Sequence, residues 1–320
     1  MRSWLKKKED STPLSYTFQT DEYKATVSRN RTIDLIVKFA LLVAALLTVA
    51  AIIIIIYSLG SESVGFFSDV NPIDFLFGTR WAAFFDDKSF GVLPLLAGTM
   101  LTTMIALAFA IPVGIGSAVF LSEYASPWLR SMIKPILEIL AGIPTVVYGY
   151  IALYFITPNL QAFIPDLYTY NATSAGIAMG FMVVPMIASL CEDAFYAVPQ
   201  NLKAAGYALG ARKSSVILRV VIPYSLSAVF AVIILAMGRA IGETMIVTIA
   251  AGLRPALTLN PFESIMTMTA AIAQAATGDA PVGTLEYTSL FAVGIYLFAI
   301  VAVLNLISGI IKSRWEIKHE

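Results

Sequence analysis

Two opposite charges, Arg239 and Glu243, stand four residues apart in an otherwise apolar stretch, Leu235-Ala-Met-Gly-Arg-Ala-Ile-Gly-Glu-Thr-Met245. On a continuous helix that spacing puts both on one face, within reach of an ion pair. An arginine at the centre of a membrane span is disfavoured by about 2.5–3.5 kcal/mol on insertion scales, so it must face protein, water or a ligand. Its planar fork of donors matches the paired oxygens of an oxyanion. Two readings follow. Either Arg239 meets a passing anion while Glu243 balances or positions it, or the two form an ion pair that only orients helices. Gly238 and Gly242 share the adjoining face, where small residues let a neighbouring backbone approach closely. Catalytic chemistry has little to build on. Cys191 is the one cysteine and His319 the one histidine, which excludes an internal disulfide, every Cys/His zinc pattern and most Cys/His or Ser/His arrangements.

The elements that must position this pair are set by composition. Of 320 residues, 58% are apolar and only 13% are Asp, Glu, Lys or Arg, against roughly 25% charged in ordinary globular chains. A soluble domain cannot cover so much apolar surface with so little charge. A membrane-spanning helix needs about 20 largely apolar residues. Six stretches qualify, at about 39–59, 96–121, 136–156, 174–190, 224–251 and 289–311. The expected fold is an all-α membrane protein with six transmembrane helices. The expected organisation is a segment at 1–38, a transmembrane domain at 39–311 and a tail at 312–320. No apolar run begins early enough for a secretory signal, and the first is expected to stay as an anchor.

The formal charge is zero, so bulk charge does not suggest a nucleic-acid surface. Its distribution is informative. Seventeen Lys and Arg fall in the first segment, the second and fourth connections and the tail; Arg80, Lys88 and Arg254 alone fall on the other side. The positive-inside rule then places both termini in the cytoplasm, and an even number of spans agrees in putting them on one side. The outer side carries Glu62, Asp69, Asp74, Asp86, Asp87, Asp166, Glu263, Asp279 and Glu286, either a solvated face or a docking surface for an extracytoplasmic partner. The first outer loop holds Phe66, Phe67, Phe75, Phe77, Trp81, Phe84, Phe85 and Phe90, expected at the headgroup level around a short interfacial helix. The apolar piece 265–276 is too short to span and is expected to be interfacial or re-entrant.

The connection at 191–223 is basic, amphipathic and longer than adjacent spans require. Ala204, Ala205 and Gly206 would let a short helix lie flat on a partner, and Gly210 would end it in the left-handed cap conformation. Pro223 would then start the fifth span, where a missing amide proton matters least.

This connection resembles the EAA loop of ATP-binding-cassette import permeases. The family pattern is Glu-Ala-Ala, three residues, Gly, nine residues, Ile, one residue, Leu-Pro. The matching positions are Ala204-Ala205-Gly206, Gly210, Val220 and Ile222-Pro223, with Ala204 standing where the family has glutamate. Leu140-Ala-Gly-Ile-Pro-Thr-Val-Val-Tyr-Gly149 and Gly238-Arg-Ala-Ile-Gly-Glu-Thr-Met245 resemble the phosphate-transport (Pst) permeases. The long first outer loop, with Phe77-Gly-Thr-Arg-Trp81 and Leu93-Pro-Leu-Leu-Ala-Gly-Thr99, favours the C-type permease over its A-type paralogue.

The resemblance covers about residues 33–311. It implies a type I importer (MetI-like) architecture in the plasma (inner) membrane of a prokaryote. It also implies partnership with an A-type permease paralogue, two ATP-binding-cassette ATPase subunits and an extracytoplasmic phosphate-binding protein. The 191–223 segment would couple to the ATPase, and the family's functional arginine and glutamate fall on Arg239 and Glu243. No Gly-Lys dipeptide, and so no P-loop, occurs in the chain. No cofactor is therefore expected here, with ATP and magnesium bound by partners. A permease for another oxyanion, such as molybdate or sulfate, is the nearest alternative. A self-sufficient channel or secondary carrier is a more distant one, and a membrane enzyme the least fitting.

Overall fold

The computed structural model describes residues 21–315, with the side chains of 33–278 and 280–310. Most of the basic first segment and the end of the tail, including His319, lie outside them. The chain divides into two compact units between Ser58 and Leu59. The first holds the larger part of helix α1 (Asp21–Asp69), polar over its first turns and apolar from Phe39 to Tyr57, with no polar stripe.

The second unit begins in the last turns of α1 and continues into α2 (Pro72–Phe77). Asn71 caps α2 by accepting from the Ile73 amide at 2.9 Å, and Pro72 opens it. The two-residue strands β1 (Trp81–Ala82) and β2 (Ser89–Phe90) pair antiparallel, Trp81 facing Phe90. The aromatics here depart from expectation. Phe66, Phe75, Trp81 and Phe90 are buried, and edge-on rings at 5.4–5.9 Å join Phe66 to Phe90, Phe66 to Phe75 and Trp81 to Phe90. They pack on one another as a core for the loop, where tilted ring pairs add to what burial alone gives. Phe77 and Phe85 alone stay largely exposed among the large side chains expected at the headgroup level.

Two long helices make the centre of this unit. Helix α3 (Leu93–Val119) runs on through a wider π-type turn, Phe120–Tyr124. Helix α7 (Ala172–Tyr196) starts at Asn171, whose side chain accepts from the Ser174 amide at 2.7 Å. They pack closely because glycines line the seam. A Cβ on Gly176 would collide with Ile105, and one on Gly180 with Phe109 and the Ala106 carbonyl. Most of α7 is buried, so it forms the core on which the other elements lie.

The third expected span is two helices. Helix α4 (Pro127–Ala141) begins at the Ser126 cap and stops at Gly142; α5 (Thr145–Ile151) then continues through a π-type turn into α6 (Thr157–Gln161). The two halves bend by 87°. Pro144 disfavours helical geometry at Ile143, so the chain must turn there. Helix α4 has no buried residue, and Trp128, Met132, Ile136 and Ile139 project outward. Its charged face is the one held. Arg130 pairs with buried Glu192 on α7, and Lys134 reaches Glu192 at 3.0 Å and Asp193 at 2.5 Å.

The expected connection at 191–223 begins inside α7, which runs to Tyr196, and continues as α8 (Gln200–Ala208), α9 (Lys213–Val216), a π-type turn and α10 (Ile222–Tyr224). The fifth expected span does not start at Pro223. The helix 213–224 is already formed there, and it bends by 69° into α11 (Leu226–Ile241). A second break at 242–244 separates α11 from α12 (Met245–Ala250). Helix α13 (Met268–Gln274) covers the piece expected to be interfacial or re-entrant; Ile265, Met266 and Met268 within 265–276 are fully buried, so it is part of the packed core. Helix α14 (Leu285–Trp315) is the last long element. Among the described residues four helices are long and apolar enough to cross a membrane, or up to six if each bent pair is one span.

Candidate functional site

The charged pair sits at the second break of the fifth span. Arg239 lies in the last turn of α11, where the helix dipole favours a cation. Its side chain is exposed, with no hydrogen bond or ion pair among the described residues. The Tyr148 phenol lies within range of its charge, and that hydroxyl donates to the Leu140 carbonyl at 3.1 Å. Helices α5 and α12 meet here, Ile246 and Ile249 standing against Gly149 so closely that a side chain there would crowd them.

Glu243 does something other than face Arg239. The i, i+4 rule holds only on a continuous helix, and α11 ends before Glu243 is reached. The Glu243 side chain turns forward. Its Oε1 accepts from the Met245 and Ile246 amides at 3.1 and 3.2 Å, capping α12. These amides would otherwise be orphan donors at the start of a helix. No ion pair joins Arg239 to Glu243 among the described residues. The expected packing role of the glycines is also not met within this chain. A Cβ on Gly238 would touch nothing within 4 Å, and one on Gly242 meets only its own helix, because the chain turns away at Gly242.

A threonine network, which the sequence reading missed, holds the break. Thr269 donates to the Glu243 carbonyl at 2.6 Å and shares a hydrogen bond of 3.0 Å with Thr267. Thr267 caps α13 through the Ala270 amide at 3.2 Å, and the Met268 amide donates to Thr99 on α3 at 3.0 Å. All three threonines are buried, where an unpaired hydroxyl or carbonyl would be costly. Thr267-Met-Thr was legible as a helix start; its partners on α3 and at the break were not.

The other predicted residues lie together on the 191–223 segment. Ala204 and Ala205 are exposed on α8, and Gly206 leaves room for Val216 of α9. Gly210 ends the helix at φ +76°, as expected of a left-handed cap. Leu209 beside it is 89% exposed. Ile222 and Pro223 fall in α10, just before the 69° bend. An open groove of about 570 Å³ is lined by Gly206, Leu209, Gly210, Arg212, Val216 and Arg219. One contact here was not foreseen. Lys203 is turned inward and pairs with Glu123 at 2.5 Å, both side chains 7% exposed. A separate cavity of about 320 Å³ between α5 and α7 is apolar except for Tyr148, and so offers an anion nothing.

Comparison with known proteins gives the family of the chain. The family described as binding-protein-dependent transport system inner membrane component matches residues 110–317. The probable ABC transporter permease protein YqgH of Bacillus subtilis is 30% identical over 275 residues, 85% of this chain and 89% of that protein. The phosphate transport system permease protein PstC of Xylella fastidiosa is 33% identical over 267 residues, 77% of this chain and 81% of its own length. Among solved structures, a bacterial ABC transporter involved in the import of the acidic polysaccharide alginate aligns over 90% of this chain and 100% of its own. The TM-score is 0.60 at 16% identity, a likeness of fold.

Proposed function

Because this chain belongs to the family of binding-protein-dependent transport system inner membrane components, and so is a multi-pass membrane transport subunit, we propose that it is the permease subunit of an ATP-driven phosphate importer. It forms half of the translocation path, beside an A-type paralogue. The observation that carries the reading is Arg239, an exposed guanidinium at a helix break with no counter-ion among the described residues. A fixed cation free of internal pairing offers its full fork of donors to a passing oxyanion. The PstC relatives named for phosphate transport support phosphate as that oxyanion.

Glu243 shapes the path by holding the break, through the α12 amides and the Thr269 hydroxyl. The open face at Gly238 and Gly242 is where the second permease subunit packs, since small residues allow close approach. The exposed surface of α8, with Ala204, Ala205 and Leu209, docks on a cytoplasmic ATPase subunit, which binds ATP and magnesium. Both termini lie in the cytoplasm of a prokaryotic cell, and a phosphate-binding protein delivers substrate to the opposite face. ATP-driven closure of the ATPases then swings the helices and moves the Arg239 site between the two faces.

The test is uptake of labelled phosphate into vesicles reconstituted with this chain, its paralogue, the ATPase and the binding protein. Uptake should require ATP and be lost in Arg239→Gln with the complex assembled. Undiminished uptake in that variant would overturn the role of Arg239. Stimulation by a sulfate- or molybdate-loaded binding protein in place of phosphate would reassign the substrate.

A further inference from the structure

Two cations of the 200–213 stretch, Lys203 and Lys213, meet the rest of the unit at one place, the π-type turn that ends α3. Lys203 of α8 is buried against Glu123 at 2.5 Å. On the other side of the Gly210 turn, Lys213 of α9 stands over the ring of Tyr124, 4.6 Å from its centroid. Adjacent residues of one turn thus receive both short helices. A π-type turn at the end of a long helix is a recurrent functional feature. Here it also leads directly into α4, whose charged face is pinned to α7 through Glu192 and Asp193.

The far end of α3 has a connection of equal definition. Thr99 accepts from the Met268 amide, and the neighbouring Thr269 donates to the Glu243 carbonyl. One helix therefore carries the ionic joint to the 191–223 segment at Glu123 and, 24 residues earlier and about 36 Å away at 1.5 Å per residue, the hydrogen bonds to the break that bears Arg239. A buried ion pair holds its partners in one geometry and resists sliding, because separating them would strand a charge out of water.

We propose that Lys203 and Glu123 form the joint through which the α8 segment drives α3, and that α3 carries the displacement through Thr99 and Thr269 to the break at Glu243. Lys203 and Glu123 are positioning residues; neither touches substrate. The inference rests on the reading that α8 is the ATPase-docking helix. It adds that α8 and the end of α3 move as one body throughout the cycle.

The experiment uses the whole reconstituted complex with the variant E123C/K203C, measuring phosphate taken up per ATP hydrolysed. Removing both charges leaves neither one stranded, so assembly is retained. With the thiols reduced, uptake per ATP should fall by about fivefold or more, the lower bound of ordinary coupling between sites. Bridging the two thiols with a short bis-thiosulfonate should return it to the parent value, since a rigid joint needs no sliding. The native thiol, Cys191, is buried. A reduced variant as well coupled as the parent, or a bridge that leaves uptake low or stops it, would overturn the joint.

If that variant fails to assemble, Lys213→Met and Tyr124→Leu, both at exposed positions, should each lower uptake per ATP by about twofold. An unchanged ratio in both rejects the proposal. Failure of the underlying reading looks different. The parent complex would then show no phosphate-dependent hydrolysis, and Leu209→Asp on the outward face of this segment would leave ATPase binding intact.

Discussion

Arg239 and Lys203 are two cations treated in opposite ways. Lys203 is 7% exposed and closed against Glu123; Arg239 is exposed at a helix break, and the carboxylate four residues on turns away from it. A buried pair satisfied within the chain is a fastening, because its charge is already spent on a fixed partner. A cation left without an internal partner keeps its field and its donors for something that comes and goes. Charge inside a membrane protein is thus read less from its presence than from where its partner lies.

The contrast is most easily broken at Arg239. Arg239→Gln should reduce phosphate uptake to background while changing stability by no more than about 0.5 kcal/mol, since no hydrogen bond or ion pair among the described residues is lost. Uptake assays and denaturation in detergent check the two halves. Lys203→Met should do the reverse to stability, destabilising the protein by about 3–5 kcal/mol because Glu123 is left buried and unpaired. Adding Glu123→Gln should recover most of that stability, and a double variant as unstable as the single one would mean that Lys203 matters for packing alone.

Smaller effects sharpen the same division. Thr269→Val strands the Glu243 carbonyl and should cost about 1–3 kcal/mol, with a several-fold drop in uptake as the break loosens. Unaltered uptake and stability together would remove the threonine network from the account. The exposed pair Arg80 and Asp87, at 61% and 79% side-chain exposure, gives the lower limit. Arg80→Ala should change stability by no more than about 1 kcal/mol, because solvent screens such a pair.

How far the fold was legible can be judged at particular residues. Ser126-Pro127, Asn171 and Gly210 announce helix ends through their own chemistry, and each does so in the structure. Gly142-Ile143-Pro144 carried a readable break, yet it was absorbed into one span because apolarity runs through it unbroken. The shared face read for Arg239 and Glu243 does not form for a related reason: residue spacing assigns a face only while the helix continues. Phe66, Phe75 and Trp81 were read as interfacial from their type, whereas burial depends on which rings stand across from them.

The amino-acid sequence by itself determined that this is a membrane protein of apolar helices and which stretches are apolar enough to cross, with one arginine inside the fifth of them. Those are properties of residues and of short windows, set by transfer free energies and by allowed φ and ψ. Only the tertiary structure decided who partners whom. Lys203 meets a carboxylate 80 positions away, Thr269 reaches the Glu243 carbonyl 26 positions back, and Glu243 turns away from Arg239 because the helix breaks between them. Pairing across such distances is settled by packing, where each buried polar group must find its partner in three dimensions.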